Sequence, residues 1–208
     1  GLQIDPGHGG SGLGAVETML AAQELGRVLA AGPWLPSAVL AAPLLAELGT
    51  PAQAADWLPA LAQGRLRAAL ACHEPQARHA LDDVATTARA DGSQWRLDGH
   101  KALVLGGDDA DLLLVVARTA GPQQGTDGLG LFAVPAGAPG LGRQPFRLLD
   151  GRGAAHLRLD GVQVPASHVL GSPGAAWPAL ERAAQRAEAA LCADATGALE
   201  ALLALTVE

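Results

Sequence analysis

Hydrophobic positions divide the chain into three stretches of different periodicity. Between about residues 15 and 67, apolar side chains recur every three or four positions, as on one face of an α-helix. From 68 to about 175, short runs alternate apolar and polar residues between turn signals, as half-buried strands do. From about 176 the helical spacing returns and continues to the end. The predicted order is helices, then strands, then a helix.

Capping and turn residues divide the first stretch. The segment GLQIDPGHGGSGLG is dense in glycine and predicts a loop before the first helix. A second helix is predicted over SAVLAAPLLAELG, with Ser37 as its N-cap and Gly49 as its stop. A third helix is predicted to begin at Pro51, which suits a first helical turn, and to end before Gly64.

Apolar residues are expected on one face of the first and of the last helix. In the first helix, Val16, Leu20, Leu25 and Val28-Leu29 are expected near one face. In the last helix, apolar residues recur at three and four positions and predict a long buried stripe: Leu180, Ala184, Ala187, Leu191, Ala195, Leu199, Leu202 and Leu205. Gly197 lies inside that helix and is expected to weaken it by roughly 1 kcal/mol.

The middle stretch has the features of an antiparallel β unit. Asp91-Gly92 and Asp98-Gly99 are dipeptides typical of hairpin turns. The run HLRLDGVQVP alternates at period two, and its His156 is expected to be packed or half-exposed. Strands spaced by about 8–12 residues without helices between them predict an antiparallel barrel or sandwich.

Composition and charge exclude some classes of function. The net charge is −7 and no basic block occurs, which argues against binding to nucleic acid or to an anionic membrane surface. The longest apolar runs, such as LLLVVA at 112–117, are too short to span a bilayer. The two cysteines are far apart in sequence and do not form a disulfide framework, so a reduced, cytoplasmic setting is expected.

Candidate chemistry is concentrated in the segment CHEPQARH, residues 72–79. Neighbouring strand residues point to opposite faces, so Cys72 and His73 do not suit a nucleophile with its base. Cys72 follows an apolar run and is predicted to be a small buried hydrophobe. The spacing of cysteine, histidine and glutamate matches no zinc motif, and no metal site is predicted.

The Glu74-Pro75 pair predicts a fixed bend at the end of a strand. Proline keeps the preceding residue out of the helical conformation, so a carboxylate and backbone N–H groups are expected at the lip of a pocket. Arg78 and His79 follow within one turn and offer cationic donors that suit a phosphate group. The alternative is a strand end with a solvated charge cluster.

Several segments, taken in order, resemble the acyl-CoA dehydrogenase family. The loop and helix GHGGSGLGAVETMLAAQELGR, the passage LGTPAQAADWLPALAQGRLRAALACHEP and the strand pair WRLDGHKALVLGGDDADLLLVVART are each similar to family segments. So are LDGVQVPASHVLG and ALCADATGALEALLALTVE, the second of which is similar to the start of the family's last helical domain. The chain is most similar to the small subunit of pimeloyl-CoA dehydrogenase and related heteromeric enzymes.

The resemblance implies an α+β fold in three parts. An N-terminal helical domain is expected over 1–67, a middle antiparallel β-barrel over 68–175, and the start of a C-terminal helical bundle over 176–208. FAD is expected between the barrel and the bundle. The first helices and most of the last domain are expected to be missing from the chain.

The resemblance also implies an activity. The chain is expected to be a subunit of a flavin-dependent enzyme that desaturates an acyl-CoA thioester between its α and β carbons. It is expected to form a homo- or hetero-tetramer and to pass electrons to an electron-transfer flavoprotein or a similar acceptor. The alternative is a non-catalytic partner of the same fold, which supports FAD and substrate bound by another subunit.

The resemblance assigns flavin contacts residue by residue, and several of them depart from the family pattern. The implied contacts are Leu70, Cys72, His73, Arg78, His79, Leu103 and Leu105. The usual threonine is His73, the usual Gly-Ser is Arg78-His79, and the usual Trp-Ile-Thr is Leu103-Val104-Leu105. Aliphatic side chains thus replace an aromatic wall and a hydroxyl donor. The catalytic base, a glutamate of the last helical domain, is expected beyond residue 208, so no catalytic residue is assigned.

Overall fold

The computed structural model describes residues 1–207, which fold into a helical part, a β part and one long helix. The helical part contains a 3-10 turn at Pro6–His8, α1 at Ala15–Arg27, a π-helical segment at Trp34–Ala41, α2 at Ala42–Leu48 and α3 at Pro51–Ala62. Thr50 caps α3: its hydroxyl accepts from the Gln53 N–H at 3.3 Å, and the Gln53 side chain accepts from the Thr50 N–H at 2.7 Å. Pro51 takes the first helical position, as predicted.

The second helix begins earlier than predicted, and Ser37 does not cap it. The π-helical segment starts at Trp34 and runs directly into α2. The Ser37 hydroxyl instead accepts from the Ala68 N–H at 3.2 Å, at the start of the first strand. Helix α2 ends at Leu48, next to the predicted stop at Gly49. The serine therefore links the helical part to the sheet.

Eight strands form one mixed, open sheet. They are β1 Ala68–Ala71, β2 Thr87–Asp91, β3 Gln94–Leu105, β4 Leu112–Arg118, β5 Leu129–Pro135, β6 Leu141–Arg147, β7 Gly153–Pro165 and β8 Val169–Leu170. The order is β6-β7-β3-β2-β4-β5-β8, with β1 beside β4. The β1–β4 and β2–β4 pairs are parallel and the others are antiparallel. The prediction of a β unit after the helices is confirmed, but the sheet is neither closed nor wholly antiparallel.

Only one of the two predicted hairpin turns occurs. Gly92, with φ +60°, lies in the turn that joins β2 to β3. The Asp98-Gly99 prediction is wrong, because both residues lie inside β3, where the pairing with β7 shifts register. A Cβ on Gly99 would come within 2.7 Å of the Thr86 Cα. The glycine therefore serves a close approach of two backbones and not a turn.

The core has two main layers. Within the strands, alternate residues face the inside of the curved sheet, where Leu97, Val115, Phe132 and Leu157 are buried. The opposite residues, among them Leu114, Val116 and Leu131, pack against α2, α3 and the start of the last helix. The outer face of β1 belongs to this second layer.

Helix α1 buries a face of small residues, and not the apolar side chains that the sequence places near one face. Thr18, Ala22 and Gly26 are its buried residues, whereas Val16 and Leu20 are exposed. The reason is the neighbouring helix α4, at Trp177–Val207, which lies directly against the α1 backbone. A Cβ on Gly26 would lie 1.9 Å from the Asp194 carbonyl oxygen, and one on Gly197 would lie 1.9 Å from the Gln23 carbonyl oxygen.

The predicted buried stripe of α4 is likewise wrong over most of its length. The helix buries Ala179, Leu180, Ala183, Ala190, Ala193 and Gly197. Leu199 is 65 % exposed and Leu205 is 75 % exposed. Contrary to the expectation from short apolar runs, α4 is long and apolar enough to cross a membrane by length and composition, a test that core helices of soluble proteins also pass.

Candidate functional site

The bend that follows β1 is fixed from inside by Glu74. The carboxylate is buried and accepts hydrogen bonds from four donors: a lysine, a glutamine side chain and two backbone N–H groups. The donors are Lys101 Nζ at 2.6 Å, Ala85 N at 2.8 Å, Gln76 Nε2 at 2.9 Å and Thr86 N at 3.0 Å. Glu74 is therefore a structural anchor, and the prediction that its carboxylate lines the lip of a pocket is wrong.

Lys101 and Glu74 form a fully buried ion pair. Burial raises the pKa of Glu74, but the Lys101 charge and the hydrogen bonds that the carboxylate accepts outweigh burial and hold the pKa below its usual value. Burial lowers the pKa of Lys101, and the neighbouring carboxylate opposes that shift. We take the pair as ionised, because a carboxylate that accepts from four donors is a charged one.

A β-bulge in β3 lies next to the bend. The pairing of β3 with β7 shifts between Lys101 and Val104. The Ala102 N–H donates to the His73 carbonyl oxygen at 2.9 Å, which joins the bulge to the bend. Leu103, at the crest of the bulge, has φ +53° and is 46 % exposed. Two segments that are almost 30 positions apart in sequence therefore form one continuous site.

The seven implied contacts lie on β1, on the bend that follows it and on β3, and their environments differ. Leu70 and Cys72 are half-buried and pack against the helical core. Burial raises the pKa of the Cys72 thiol, so the thiol stays protonated at neutral pH. Leu105 packs against the helices beside Trp34 and Ala187. Of the aliphatic residues in this set, Leu103 is the exposed one.

The imidazole of His73 has an unsatisfied atom. Its Nδ1 is buried and has no hydrogen-bond partner within residues 1–207. Burial, the charge of His79 and the charge of Lys101 all lower the pKa of His73, so the ring is neutral at neutral pH. An orphaned polar atom at a strand end is a feature that a bound ligand or water satisfies.

Arg78 and His79 form a cationic rim on the bend. Both residues are exposed, and neither makes a side-chain hydrogen bond or ion pair within the described part of the chain. Arg78 has φ +51°, a conformation that is uncommon for residues other than glycine. Of the carboxylates beside the bend, Glu74 is paired with Lys101, and Asp83 accepts from Gln76 of the same bend.

Sequence reasoning missed two parts of this site. Lys101 is the single lysine in the sequence, and its inward position in β3 among apolar residues was the available signal. Phe146 and His156, on β6 and β7, stack with ring centroids 4.6 Å apart beside Leu103. Their proximity depends on the pairing of three strands, which no local pattern reports.

Together these features describe a surface suited to a planar, negatively charged ligand. The bend supplies Arg78 and His79, which form no ion pair among residues 1–207, the bulge supplies exposed apolar surface, and His73 supplies a nitrogen without a hydrogen-bond partner in the same range. No group of three or more histidine, cysteine, aspartate or glutamate side chains among residues 1–207 could hold a metal ion. The arrangement is that of a binding surface between a sheet and neighbouring helices.

Two family models match the chain in succession. The N-terminal domain model of acyl-CoA dehydrogenase matches residues 1–65, and the middle domain model of acyl-CoA dehydrogenase matches residues 69–162. Acyl-CoA dehydrogenase FadE12 of Mycobacterium tuberculosis is 35% identical over 182 residues, which cover 85% of this chain and 46% of that protein.

Solved structures of acyl-CoA dehydrogenases are also similar to this chain. An acyl-CoA dehydrogenase from Geobacillus kaustophilus has a TM-score of 0.88 and 28% identity, covering 98% of this chain and 55% of that one. A glutaryl-CoA dehydrogenase from Mycobacterium smegmatis in complex with FADH2 has a TM-score of 0.85 and 29% identity, covering 100% of this chain and 53% of that one. The chain spans about half the length of the relatives it matches.

Proposed function

The chain belongs to the acyl-CoA dehydrogenase family, and from that premise we propose that it is a subunit of a flavin-dependent enzyme that desaturates an acyl-CoA thioester. The main support for this proposal is the contact between the bend and the bulge. There the Ala102 N–H···O=C His73 bond joins the two segments on which the family resemblance sets its flavin contacts. The acyl chain is that of a fatty acid, a dicarboxylate or a sterol side chain.

FAD fits the residues at this junction. The buried, unpartnered His73 Nδ1 is a polar atom that lacks a partner, and the exposed Leu103 is an apolar surface that lacks a cover. Arg78 and His79 bring positive charge that suits a diphosphate. Leu70, Cys72 and Leu105 would contribute mainly through the backbone and through packing, because their side chains face the helical core.

The residues of this chain would hold the ligands and set the field around them. When bound, FAD supplies the acceptor for the hydride that leaves the β carbon of the thioester. The Glu74–Lys101 pair keeps the bend and the bulge at a fixed separation, which is a condition for positioning reactants. Arg78 and His79 stabilise the negative charge of a diphosphate. The base that removes the α proton is not among the residues assigned here.

Further features of the whole enzyme belong to the same proposal. We assign residues 1–67, 68–175 and 176–208 to its N-terminal, middle and C-terminal domains. Electrons pass to an electron-transfer flavoprotein or a similar acceptor, and the subunits assemble as a homo- or hetero-tetramer in the cytoplasm. The similar structures named acyl-CoA and glutaryl-CoA dehydrogenase support the choice of CoA thioesters as substrates.

A second candidate function is a partner subunit that supports FAD and substrate bound mainly by another chain. The observation that favours it is the aliphatic bulge. Leu103 and Leu105 stand where the family has an aromatic wall and a hydroxyl donor, and Leu105 is already packed against helices. This chain would then contribute one side of a cleft that a second subunit completes.

One experiment separates the two functions. The full-length protein is purified alone and after co-expression with a neighbouring dehydrogenase subunit, and the visible flavin absorption band is measured in each sample. A flavin band in the protein alone supports the first function, and a band only in the co-purified complex supports the second. If neither preparation holds flavin after reconstitution with excess FAD, both functions are excluded.

A further inference from the structure

We propose that Arg118 is a positioning residue, which acts through the bend and holds Arg78 and His79 in place for the diphosphate of a ligand. The inference rests on the proposed function, because those two residues are proposed there to bind that diphosphate. Arg118 is the last residue of β4, and it is not among the residues to which the resemblance assigns a contact with the cofactor. Its effect on binding therefore has to pass through the chain segments that it contacts.

The guanidinium of Arg118 is buried, and its hydrogen-bond acceptors among residues 1–207 are main-chain carbonyl oxygens. The residue is 6 % exposed. Its side chain donates to five carbonyl groups: those of Asp127 at 2.6 Å, Gln123 at 2.7 Å, Asp82 at 2.9 Å, Gly125 at 3.1 Å and Val84 at 3.4 Å. A guanidinium presents five N–H donors in one plane, so a single side chain can hold several points of the backbone together.

The five carbonyl groups belong to two loops. Asp82 and Val84 lie in loop 72–86, which begins with the bend and leads to β2, and the other three lie in loop 119–128, which connects β4 to β5. The loops also bond to each other. The Val84 N–H donates to the Gln123 carbonyl oxygen at 3.0 Å, and the Gly125 N–H donates to that of Asp82 at 3.2 Å. Arg118 thus fixes the loop of the bend to a second loop.

Arg78 and His79 lie between two anchors of loop 72–86. Near the start of the loop, Glu74 is held by its buried network, and towards the end Asp82 is held by Arg118. Between these anchors, Arg78 has φ +51°, and both rim side chains are exposed. Exposed side chains gain little support from packing, so their position depends on how firmly the two ends of their segment are held.

Side chains reinforce the connection between the two loops. Asp83 accepts from three amide groups: those of Gln123 at 2.7 Å, Gln124 at 3.1 Å and Gln76 at 3.3 Å. Gln76 also donates to the Glu74 carboxylate at 2.9 Å. A continuous set of hydrogen bonds therefore joins the region that Arg118 clamps to the buried anchor of the bend.

Loosening this connection should weaken the binding of a diphosphate. A mobile rim has to be ordered when the ligand binds, and the cost of ordering reduces affinity. Lysine is a suitable replacement for Arg118, because it keeps the charge but carries its three donors on one nitrogen. It cannot reach carbonyl groups of both loops as the planar guanidinium does, so the substitution separates the positioning contacts from the charge.

The test is a double-mutant cycle between Arg118→Lys and the rim variant Arg78→Ala/His79→Ala. Affinity for FAD is measured by titration of the deflavinated protein, in the form that carries flavin when purified, and affinity for CoA is measured on the flavin-loaded form. In the parent background, Arg118→Lys is expected to weaken binding of FAD or of CoA roughly fivefold. In the rim variant it should have no further effect. Riboflavin and pantetheine lack the diphosphate and should bind equally well with and without Arg118→Lys. The ligand whose affinity falls is the one that supplies the diphosphate.

Arg143→Lys is the matched control. Arg143 also donates to main-chain carbonyl oxygens, those of Asp108 at 3.2 Å and Ala110 at 3.0 Å. It lies on β6, and both acceptors lie in the connection between β3 and β4, outside the two loops that Arg118 joins. Affinity for FAD and for CoA should therefore be unchanged in Arg143→Lys.

Two results would overturn the inference and leave the proposed function intact. One is unchanged affinity for both ligands in Arg118→Lys, and the other is equal weakening in the parent and in the rim variant, which would show that Arg118 does not act through the rim. If Arg118→Lys does not fold, Asp83→Ala replaces it in the same cycle, because it detaches the amide groups and leaves the buried cation in place. Its expected effect is a roughly twofold weakening that is absent in the rim variant, and any other pattern counts against the inference. Failure of the unsubstituted protein to bind FAD, alone or with a partner, overturns the proposed function as well.

Discussion

The inside and the rim of the bend differ in how their polar groups are satisfied. Inside, Glu74 and Lys101 are almost fully buried, and the carboxylate accepts hydrogen bonds from four donors. On the rim, Arg78 and Leu103 adopt positive φ values without being glycine, and both are exposed. The polar groups inside the bend are satisfied by other residues of the chain, whereas the rim has strained backbone and exposed side chains.

The difference distinguishes the residues that hold the backbone of the site in place from the residues that are available to bind a ligand. A completed network fixes the backbone and needs no ligand, so its residues act on stability. A strained, exposed rim without ion pairs among residues 1–207 contributes little to stability, so its side chains are available to a ligand. Substitutions in the two regions should therefore change different measured quantities.

The largest effect is expected inside the bend. Lys101→Met leaves the buried Glu74 charge without its cation and should lower the free energy of unfolding by about 3–5 kcal/mol. The double variant Glu74→Gln/Lys101→Met removes both charges, keeps an acceptor for the Ala85 and Thr86 N–H groups, and should recover a large part of that loss. Urea unfolding followed by circular dichroism measures the free energy of unfolding of the single and the double variant. A single variant as stable as the parent protein would show that the pair does not anchor the bend.

The next largest effect is expected on ligand affinity, from substitutions at the rim. Arg78→Gly removes a cation and relieves a positive φ, so the free energy of unfolding should stay unchanged or rise by about 1 kcal/mol. Binding of FAD or of CoA should weaken by roughly tenfold, because a charge-assisted hydrogen bond to a diphosphate is lost. Comparison of FAD with riboflavin, and of CoA with pantetheine, identifies the ligand whose diphosphate is bound.

The double variant Arg78→Ala/His79→Ala serves as the complementary measurement. It removes the charge of the rim without providing glycine at the positive φ, so stability should fall slightly or remain unchanged. Affinity should fall at least as far as in Arg78→Gly. Unchanged flavin content and unchanged CoA affinity in this variant would exclude a role of the rim in ligand binding.

The smallest effect is a dependence of stability on acid pH. The pKa of Glu74 is held below its usual value of 4.5 in the folded protein, so the carboxylate stabilises the fold above that pH. This contribution should be lost as the pH falls below 4.5 and through the lowered pKa of the folded state. The double variant at positions 74 and 101 should lack this part of the pH dependence in thermal unfolding. Parallel profiles for the two proteins would contradict the assignment.

The order of the elements could be predicted from the sequence, but the buried faces of two helices could not. Periodicity locates helices and strands because it depends on local spacing. The buried faces of α1 and α4 could not be read from the leucine positions, because Gly26 and Gly197 allow the two helix backbones to touch, which selects small residues over leucines. Pattern reasoning assumes that large apolar residues are buried, and this interface reverses that rule.

The candidate site could be predicted only in part, for a similar reason. The bend at Pro75 follows from local stereochemistry, and the structure has it after β1. The partner of Glu74 is Lys101, 27 positions further along the chain, and the stacked rings lie on two later strands. Such contacts depend on strand register, which a mixed sheet with bulges does not reveal in its sequence.

The burial of Lys101 also has a chemical consequence. It is the sequence's single lysine, and its amine is enclosed against Glu74 at 2.6 Å. Thioesters acylate accessible amines without a catalyst, and lysines exposed on a protein that handles them become targets for damage. The exposed basic side chains among residues 1–207 are those of arginine and histidine, and none of them is a primary amine. Enclosure against Glu74 therefore keeps the amine of Lys101 from reacting with an acyl donor in solvent.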